Sequence, residues 1–326
     1  MKYREFSNVG WKVSEIGIGC WAIGSEWGDV SPENAKDALF TSLDNGVNFF
    51  DTADVYGDGR SEKFIGEILK NTKEKIYVAT KAGRRLDPHV SEGYNLNNIE
   101  AFIDRSLLNL GIDTIDLLQL HCPPSDICGK SETYEMMDEI VKKGKIKYYG
   151  VSVEKVSEAL DAIKFSNVKS IQIIFNIFRQ KPNEIFFKEA KKNNVAIIVR
   201  VPLASGLLTG KMNLNSSFPK NDHRNYNING DSFDVGETFS GINFNKGIEA
   251  VKELKTLLPQ DFSLTDLALK WILSHDEVTV VIPGAKNKLQ AQLNTRASEM
   301  NNINTIMNSI SDIYQSYFKD DVHSRW

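Results

Sequence analysis

The chain has 326 residues, 41% apolar and 25% charged, which is an ordinary globular composition with ample material for a core. Its net charge of −4 and lack of basic clusters argue against nucleic acid as a partner. Three cysteines without a CxxC motif favour a reducing compartment over a disulfide framework. Because no membrane-length apolar run and no signal-peptide pattern is present, we expect a cytoplasmic protein without membrane association.

Short apolar segments alternate with amphipathic ones along most of the chain. Many of the apolar segments are rich in β-branched residues or continuously apolar, which is typical of parallel strands buried on both faces. We predict eight strands, at residues 15–20, 47–51, 76–81, 115–121, 147–152, 170–176, 195–201 and 278–283.

The amphipathic segments have helical periodicity. In the first of them, Pro32 suits the first turn of a helix and Gly46 its C-cap, and the last is expected to begin near Asn287. Eight strands alternating with eight helices predict an α/β fold, a single (β/α)₈ TIM-type barrel domain spanning residues 1–326.

Two segments lie outside the alternation of strands and helices. Residues 1–13 are predicted to form a short β-hairpin that closes the bottom of the barrel. Residues 212–245, after the seventh strand, contain no obvious helix and are predicted to form a long loop. A loop of this length is either a lid or binding loop, or a disordered surface insertion.

A glycine pattern after the first strand resembles a dinucleotide-binding turn. Gly17, Gly19 and Ala22 spell G-x-G-x-x-A, but Gly24, Gly28 and Pro32 follow where that motif requires a helix. We therefore interpret these glycines as marking the change from strand to loop.

Polar residues occupy the C-terminal ends of three consecutive predicted strands, where barrels place their reactive groups. Asp51 ends the second strand and Tyr56 follows it, Lys81 ends the third, and His121 ends the fourth. A phenol is a weak proton donor near neutrality, and a nearby ammonium group lowers its pKa. Asp51 would hold Lys81, and His121 would orient a carbonyl oxygen. Since no side chain supplies a hydride, the set implies a nicotinamide cofactor.

The string Asp-Thr-Ala-x-x-Tyr-Gly-x-Gly-x-Ser-Glu at residues 51–62 resembles the catalytic motif of the aldo-keto reductase superfamily, and the resemblance extends from Lys12 to the last helix. It implies that Tyr56 is the general acid/base, that Lys81 and Asp51 tune it, and that His121 orients the carbonyl. It further implies that NADPH, or NADH, reduces an aldehyde or ketone reversibly. The partner would be a small-molecule carbonyl or alcohol, and the oligomeric state is not indicated.

The later strand ends resemble the cofactor site of the same family. The resemblance assigns the nicotinamide carboxamide to Ser152 and Gln172, and it places Arg200 where many relatives have a stacking aromatic residue. A basic residue beside a helix N-terminus suits a phosphate on its own physics. The full set of residues implied for the cofactor is Ser152, Gln172, Arg200, Pro202, Leu203, Ser205, Gly206, Lys211, Gly284, Lys286, Gln290 and Asn294.

Several features leave alternatives open. Trp21 and Trp27 either line the substrate pocket or pack within their loop, and Cys122 is interpreted as a pocket filler. The aromatic segment 317–326 either folds over the barrel mouth or docks elsewhere. No set of residues has metal-ligand spacing, so no metal is expected. The alternative functions are an NAD-dependent sugar (aldose) dehydrogenase and a cofactor-sensing regulatory subunit.

Overall fold

The computed structural model describes residues 1–24 and 26–326, and it contains a barrel of eight parallel strands. Two further strands, β1 (Tyr3–Phe6) and β2 (Trp11–Ser14), pair antiparallel as the predicted hairpin. The barrel strands are β3 (Ile18–Gly19), β4 (Phe49–Asp51), β5 (Tyr77–Ala82), β6 (Ile115–His121), β7 (Ile146–Ser152), β8 (Val168–Ile174), β9 (Ala196–Arg200) and β10 (Val278–Val281).

Each barrel strand pairs with its sequence neighbours, and the first meets the last. Gly17 N donates to Val281 O at 2.8 Å, and Gly19 N donates to Pro283 O at 3.1 Å. The fold prediction is therefore confirmed. The strand predicted at residues 15–20 is shorter, because only Ile18 and Gly19 pair with β4. The preceding residues Ile16 and Gly17 contact Val281 at the end of β10.

The hairpin closes the bottom of the barrel, as predicted. Phe6 and Val13 are fully buried and pack with inward-facing residues of the strands. The Phe6 ring lies 5.6 Å from that of Phe49 and 5.5 Å from that of Trp11. Since the bottom is filled with apolar side chains, the opposite end, where the strands terminate, is the end that is open to ligands.

Helices cover the outside of the barrel, and local sequence sets many of their ends. Ser31 caps the second helix and Asn95 the fourth, which Gly111 ends with a φ of 65°. Side-chain N-caps of this kind contribute about 1 kcal/mol each. The helices up to the seventh strand are α1 (Trp21–Gly24), α2 (Pro32–Asp44), α3 (Arg60–Asn71), α4 (Leu96–Leu110), α5 (Ser131–Lys142), α6 (Val156–Ala162) and α7 (Phe186–Lys192).

The long segment after β9 contains more helix than we predicted. The helices that follow β9 are α8 (His223–Tyr226), α9 (Phe244–Thr256), α10 (Leu264–Leu273), α11 (Lys288–Arg296), α12 (Met307–Tyr317) and α13 (Lys319–Val322). The sequence analysis did not identify α9. Asn243 caps α9, and α11 begins after Asn287 as predicted. No helix within residues 1–24 and 26–326 is both long and apolar enough to cross a membrane.

Candidate active site

The ends of β4 and β5 bring Asp51 and Lys81 into direct contact. Lys81 Nζ lies 2.5 Å from Asp51 Oδ1, 2.8 Å from the Thr52 carbonyl oxygen and 3.3 Å from the Tyr56 hydroxyl. Only 1% of Lys81 is exposed. A buried ammonium group is costly without partners, and here three oxygens surround it.

Two glutamines fix the other oxygen of Asp51. Gln172 Nε2 donates to Oδ2 at 2.7 Å and Gln119 Nε2 donates at 3.0 Å. Gln172, which is predicted to contact the cofactor, borders the cavity, and its amide nitrogen is bonded to Asp51 and to Gln119 Oε1. The sequence analysis missed Gln119. Its position in β6, two residues before His121, places both side chains on one face of the strand, which is the signal that could have identified it.

The Tyr56 hydroxyl remains protonated. Although part of the ring borders the cavity, burial raises the pKa of the phenol well above its usual value, and the carboxylates of Asp51 and Glu237 raise it further. The guanidinium groups of Arg84 and Arg200 lower the pKa of Tyr56, but by less than burial raises it. We expected Lys81 to lower this pKa, but burial outweighs the neighbouring cations. The phenol therefore has a proton to donate.

His121 lies edge-on to Tyr56, with 5.9 Å between the ring centroids. Burial and the cations of Arg84, Lys81 and Arg200 hold the pKa of His121 well below its usual value, so the imidazole is neutral. Its Nδ1 atom is buried and has no hydrogen-bond partner in the described part of the chain. A neutral imidazole has one N–H to donate, which suits a carbonyl oxygen held between this ring and the phenol.

A single cavity of about 920 Å³ connects these groups with every residue predicted to hold the cofactor. Asp51, Tyr56 and His121 border it, and Lys81 lies behind them. The same cavity is also bordered by Ser152, Gln172, Arg200, Pro202, Leu203, Ser205, Gly206, Lys211, Gly284, Lys286, Gln290 and Asn294. This volume accommodates a large ligand.

The far end of the cavity has the character of an anion site. Ser205 and Gly206 adopt positive φ values of 54° and 99°, which bends the backbone into a tight turn. Lys286 and Arg224 are close enough that the guanidinium, after burial, lowers the pKa of Lys286. The N-terminus of α11 lies two residues beyond Lys286. Cations beside a helix N-terminus fit the phosphates of a dinucleotide.

Hydrogen bonds within this end of the cavity fasten the turn before α11. Lys286 N donates to Gln290 Oε1 at 2.9 Å, and Asn294 Nδ2 donates to the Gly284 carbonyl oxygen at 3.1 Å. Lys286 Nζ also donates to the Trp27 carbonyl oxygen. Gln290 and Asn294 thus hold the backbone in place, whatever further contacts they make with a ligand.

The loop after β3 meets the long segment above the cavity. Trp27 pairs with Asp222, and His223 N donates to the Glu26 carbonyl oxygen at 2.8 Å. Trp21 and Trp27 both border the cavity and pack against the His223 ring, with centroids 4.7 and 4.4 Å away. Both tryptophans therefore line the cavity and also pack within their loop.

A cluster of charged side chains beside Tyr56 and His121 was not predicted. Arg200 Nη1 lies 2.5 Å from Glu237, and Arg84 Nη2 lies 3.1 Å from Glu154 and 3.4 Å from Glu237. Arg84 lies two residues after the end of β5, and Glu154 lies two residues after the end of β7. Their positions just beyond strand ends are the signal that could have identified them as site residues. Glu237 comes from the long segment and gives no sequence signal.

Cys122 and the aromatic tail also border this region. Burial raises the pKa of the Cys122 thiol, which agrees with a pocket filler rather than a nucleophile.

Trp326, in the C-terminal aromatic tail, donates through Nε1 to Asp234 at 3.0 Å, and the Arg179 guanidinium group lies over its ring at 4.0 Å. The tail therefore docks against the long segment that supplies Glu237.

The parallel barrel carries a phenol, an ammonium group and an imidazole at its strand ends, which is an arrangement typical of an enzyme. Comparison with known proteins identifies the family. The model of the Aldo/keto reductase family matches residues 15–314. The chain is 30% identical to the aldo-keto reductase YhdN of Bacillus subtilis, over 96% of each chain.

Two solved structures are also similar. Aldo-keto reductase AKR11C1 from Bacillus halodurans, in its holo form, has 27% identity and a TM-score of 0.76 over 99% of both chains. The glycerol dehydrogenase AKR11B4 from Gluconobacter oxydans has 26% identity and a TM-score of 0.78, covering 97% of this chain and 96% of its own. The chain belongs to the aldo/keto reductase family. It is an oxidoreductase acting on carbonyl or alcohol groups, and this family uses nicotinamide cofactors.

Proposed function

We propose that this enzyme reduces an aldehyde or ketone reversibly with NADPH, and that Tyr56 donates the proton. One observation carries the proposal: the Lys81 ammonium group is bonded to Asp51 and lies 3.3 Å from the Tyr56 hydroxyl, beside the cavity that all twelve cofactor candidates border. Tyr56 and His121 border the cavity with 5.9 Å between their ring centroids, so one bound carbonyl oxygen can lie between them.

The chain's own residues have separate tasks in this proposal. His121 and Tyr56 bind the carbonyl oxygen between them, and Tyr56 then transfers its hydroxyl proton to that oxygen. Lys81 stabilises the phenolate that remains, while Asp51, fixed by Gln119 and Gln172, keeps the ammonium group in place. The bound nicotinamide supplies the hydride. General acid catalysis of this type contributes about 10²–10⁴-fold to the rate.

The preference for NADPH rests on the charge at the far end of the cavity. NADPH carries one phosphate more than NADH, and Lys286 with the N-terminus of α11 can compensate that charge. Relatives are named for both cofactors: one from Schizosaccharomyces pombe for NADP(+), and a methylglyoxal reductase from Escherichia coli as NADH-specific. NADH is thus the alternative cofactor.

Replacing Lys286 tests this preference. We expect Lys286→Ala to raise the Kd for NADPH about tenfold and to change the Kd for NADH by less than about twofold, because a charge-assisted contact contributes about 1.5–3 kcal/mol and Gln290 adds no charge. Fluorescence titration with both reduced cofactors measures this. Lys188→Ala, which removes an exposed lysine of the outer helix α7, outside the cavity, is the matched control. Equal weakening for both cofactors in Lys286→Ala would contradict the assignment.

The long segment gives a second test. Arg224, Phe233 and Glu237 of residues 212–245 border the cavity, so we expect slower amide hydrogen exchange in this segment when NADPH is bound. Helix α7, on the outside of the barrel, serves as the internal reference and should not change. If exchange in residues 212–245 is the same with and without cofactor, the segment is an inert insertion and not a binding loop.

Two other functions are compatible with the family. The similarity to a glycerol dehydrogenase favours alcohol oxidation as the second candidate, which includes NAD-dependent sugar dehydrogenation. A relative from Arabidopsis thaliana is named as a probable potassium channel β subunit, which is the regulatory alternative. A panel of carbonyl and alcohol substrates, assayed by nicotinamide absorbance with both cofactors, separates these functions. Absence of turnover with every substrate would argue for the regulatory role.

A further inference from the structure

A layer of polar side chains lies between the cavity and the apolar interior of the barrel. Asp51, Gln119 and Gln172 come from β4, β6 and β8, alternate strands that contribute to one layer of a barrel interior. Phe49 and Leu117, two residues earlier on β4 and β6, are fully buried in the apolar layer beneath. Asp51 and Gln172 border the cavity, whereas Gln119 is fully buried and is not among the described residues that border it. Any effect of Gln119 on a ligand therefore acts through its neighbours.

The Asp51 carboxylate sets the direction of both amides. A carboxylate accepts hydrogen bonds and has none to donate, so each glutamine turns its NH2 group toward it. The Gln119 Oε1 atom then faces Gln172, whose Nε2 atom donates to it at 3.1 Å as well as to Asp51 at 2.7 Å. Gly150, the register partner of Gln119 in the intervening strand β7, places no side chain between the two amides. Two hydrogen bonds thus fix the plane of the Gln172 amide.

The Gln172 amide is left with one free hydrogen-bonding atom. Its two N–H groups are used, so the Oε1 atom remains as an acceptor. In the part of the chain that the structure describes, this atom has no hydrogen-bond partner, and Gln172 borders the cavity. An acceptor in a fixed position at the cavity suits the NH2 group of the nicotinamide carboxamide, which the family resemblance assigns to Gln172 and Ser152. With a single bond to Asp51, the same amide could rotate and the acceptor would move.

We infer that Gln119 is a positioning residue that connects the Asp51–Lys81 pair with the cofactor, because it fixes the Gln172 amide so that its oxygen accepts from the carboxamide NH2 group. The inference rests on the proposed function. The carboxylate that holds Lys81 for proton transfer also holds, through the two amides, the acceptor that orients the nicotinamide. Proton donor and hydride donor are thereby placed relative to one another by a single buried network.

The test compares the Kd of NADP(+) with that of its 3-acetylpyridine analogue, in which a methyl group replaces the carboxamide NH2 group. The native enzyme should bind the analogue about tenfold more weakly, because the Gln172 acceptor then lacks a partner. Gln119→Met should reduce this ratio to about threefold or less, whereas Gln119→Glu, which keeps an oxygen acceptor beside Gln172, should retain it. Gln180→Met is the matched control, since that amide donates to the Ile177 carbonyl oxygen at 3.0 Å outside the cavity, and it should leave the ratio unchanged.

A double variant shows whether Gln119 acts through Gln172. Gln172→Met alone should abolish the difference between the two dinucleotides, and adding Gln119→Met should change the ratio no further. Equal binding of both dinucleotides by the native enzyme, or a native ratio in Gln119→Met or Gln172→Met, overturns the inference while the proposed reaction stands. Failure to bind NADP(+) overturns the proposed function itself. Gln172→Met leaves the bond between Gln119 and Asp51 in place, so it tests the inference even where Gln119→Met does not fold.

Discussion

Tyr56→Phe is expected to lose nearly all carbonyl reduction, about 10²–10⁴-fold in kcat, while NADPH binds with an unchanged Kd. The substitution removes only the hydroxyl group that lies 3.3 Å from Lys81 Nζ. The ring remains and still stacks on Trp21 at 6.0 Å, so the cavity keeps its shape. Steady-state kinetics and a cofactor titration on the same preparation measure both quantities.

Tyr134→Phe is the control for this prediction. Its hydroxyl group is also buried and donates to the Cys128 carbonyl oxygen at 2.8 Å, but it lies in α5 outside the cavity. We expect it to lower the free energy of unfolding by about 1 kcal/mol and to leave turnover unchanged. If Tyr56→Phe retains more than a tenth of native turnover, another group donates the proton.

Lys81→Met is expected to have the largest effect on stability, because it leaves the Asp51 carboxylate buried without its cation. Removing one member of a buried ion pair costs about 3–5 kcal/mol of the free energy of unfolding. Turnover should also be lost, since no ammonium group remains to stabilise the phenolate. Urea unfolding followed by circular dichroism measures the first effect, and the aldehyde assay measures the second.

A double variant separates stability from catalysis. Lys81→Met with Asp51→Asn removes both charges and keeps an acceptor for Gln119 or Gln172, so we expect it to recover much of the lost stability but no activity. Lys147→Met, which breaks a partly exposed pair with Asp116, should cost less than about 1 kcal/mol. Full activity in the double variant would refute the role assigned to the Asp51–Lys81 pair.

Local sequence predicted the architecture well, because each strand and cap is specified within a few residues. The β-branched segments gave all eight barrel strands, and Asn287 located the start of α11. Helix α9 was overlooked, although Ile248, Val251 and Leu254 have helical spacing on its buried face. Its neighbours in the chain, rich in Asn and Gly, obscured the pattern.

The site was predicted where it depends on strand ends and missed where it depends on distant contacts. Strand ends brought Asp51, Lys81 and His121 together as expected. Glu237 reaches Arg200 and Arg84 from a long segment whose path no periodicity specifies. The pKa of Tyr56 was predicted in the wrong direction for a related reason: the sequence indicates which charges are near, but burial, which outweighs them here, is a property of the folded molecule.

The seam between the first and last barrel strands has a consequence for how the chain folds. The backbone N–H groups of Gly17 and Gly19 donate to the carbonyl oxygens of Val281 and Pro283. Arg4 likewise donates to the Val278 carbonyl oxygen, 274 positions away. Contacts of such long sequence separation form slowly, because the loop they close is almost the whole chain. During synthesis, β3 therefore keeps an unpaired edge until the last strand has emerged. The nascent chain is exposed to edge-to-edge aggregation throughout that interval.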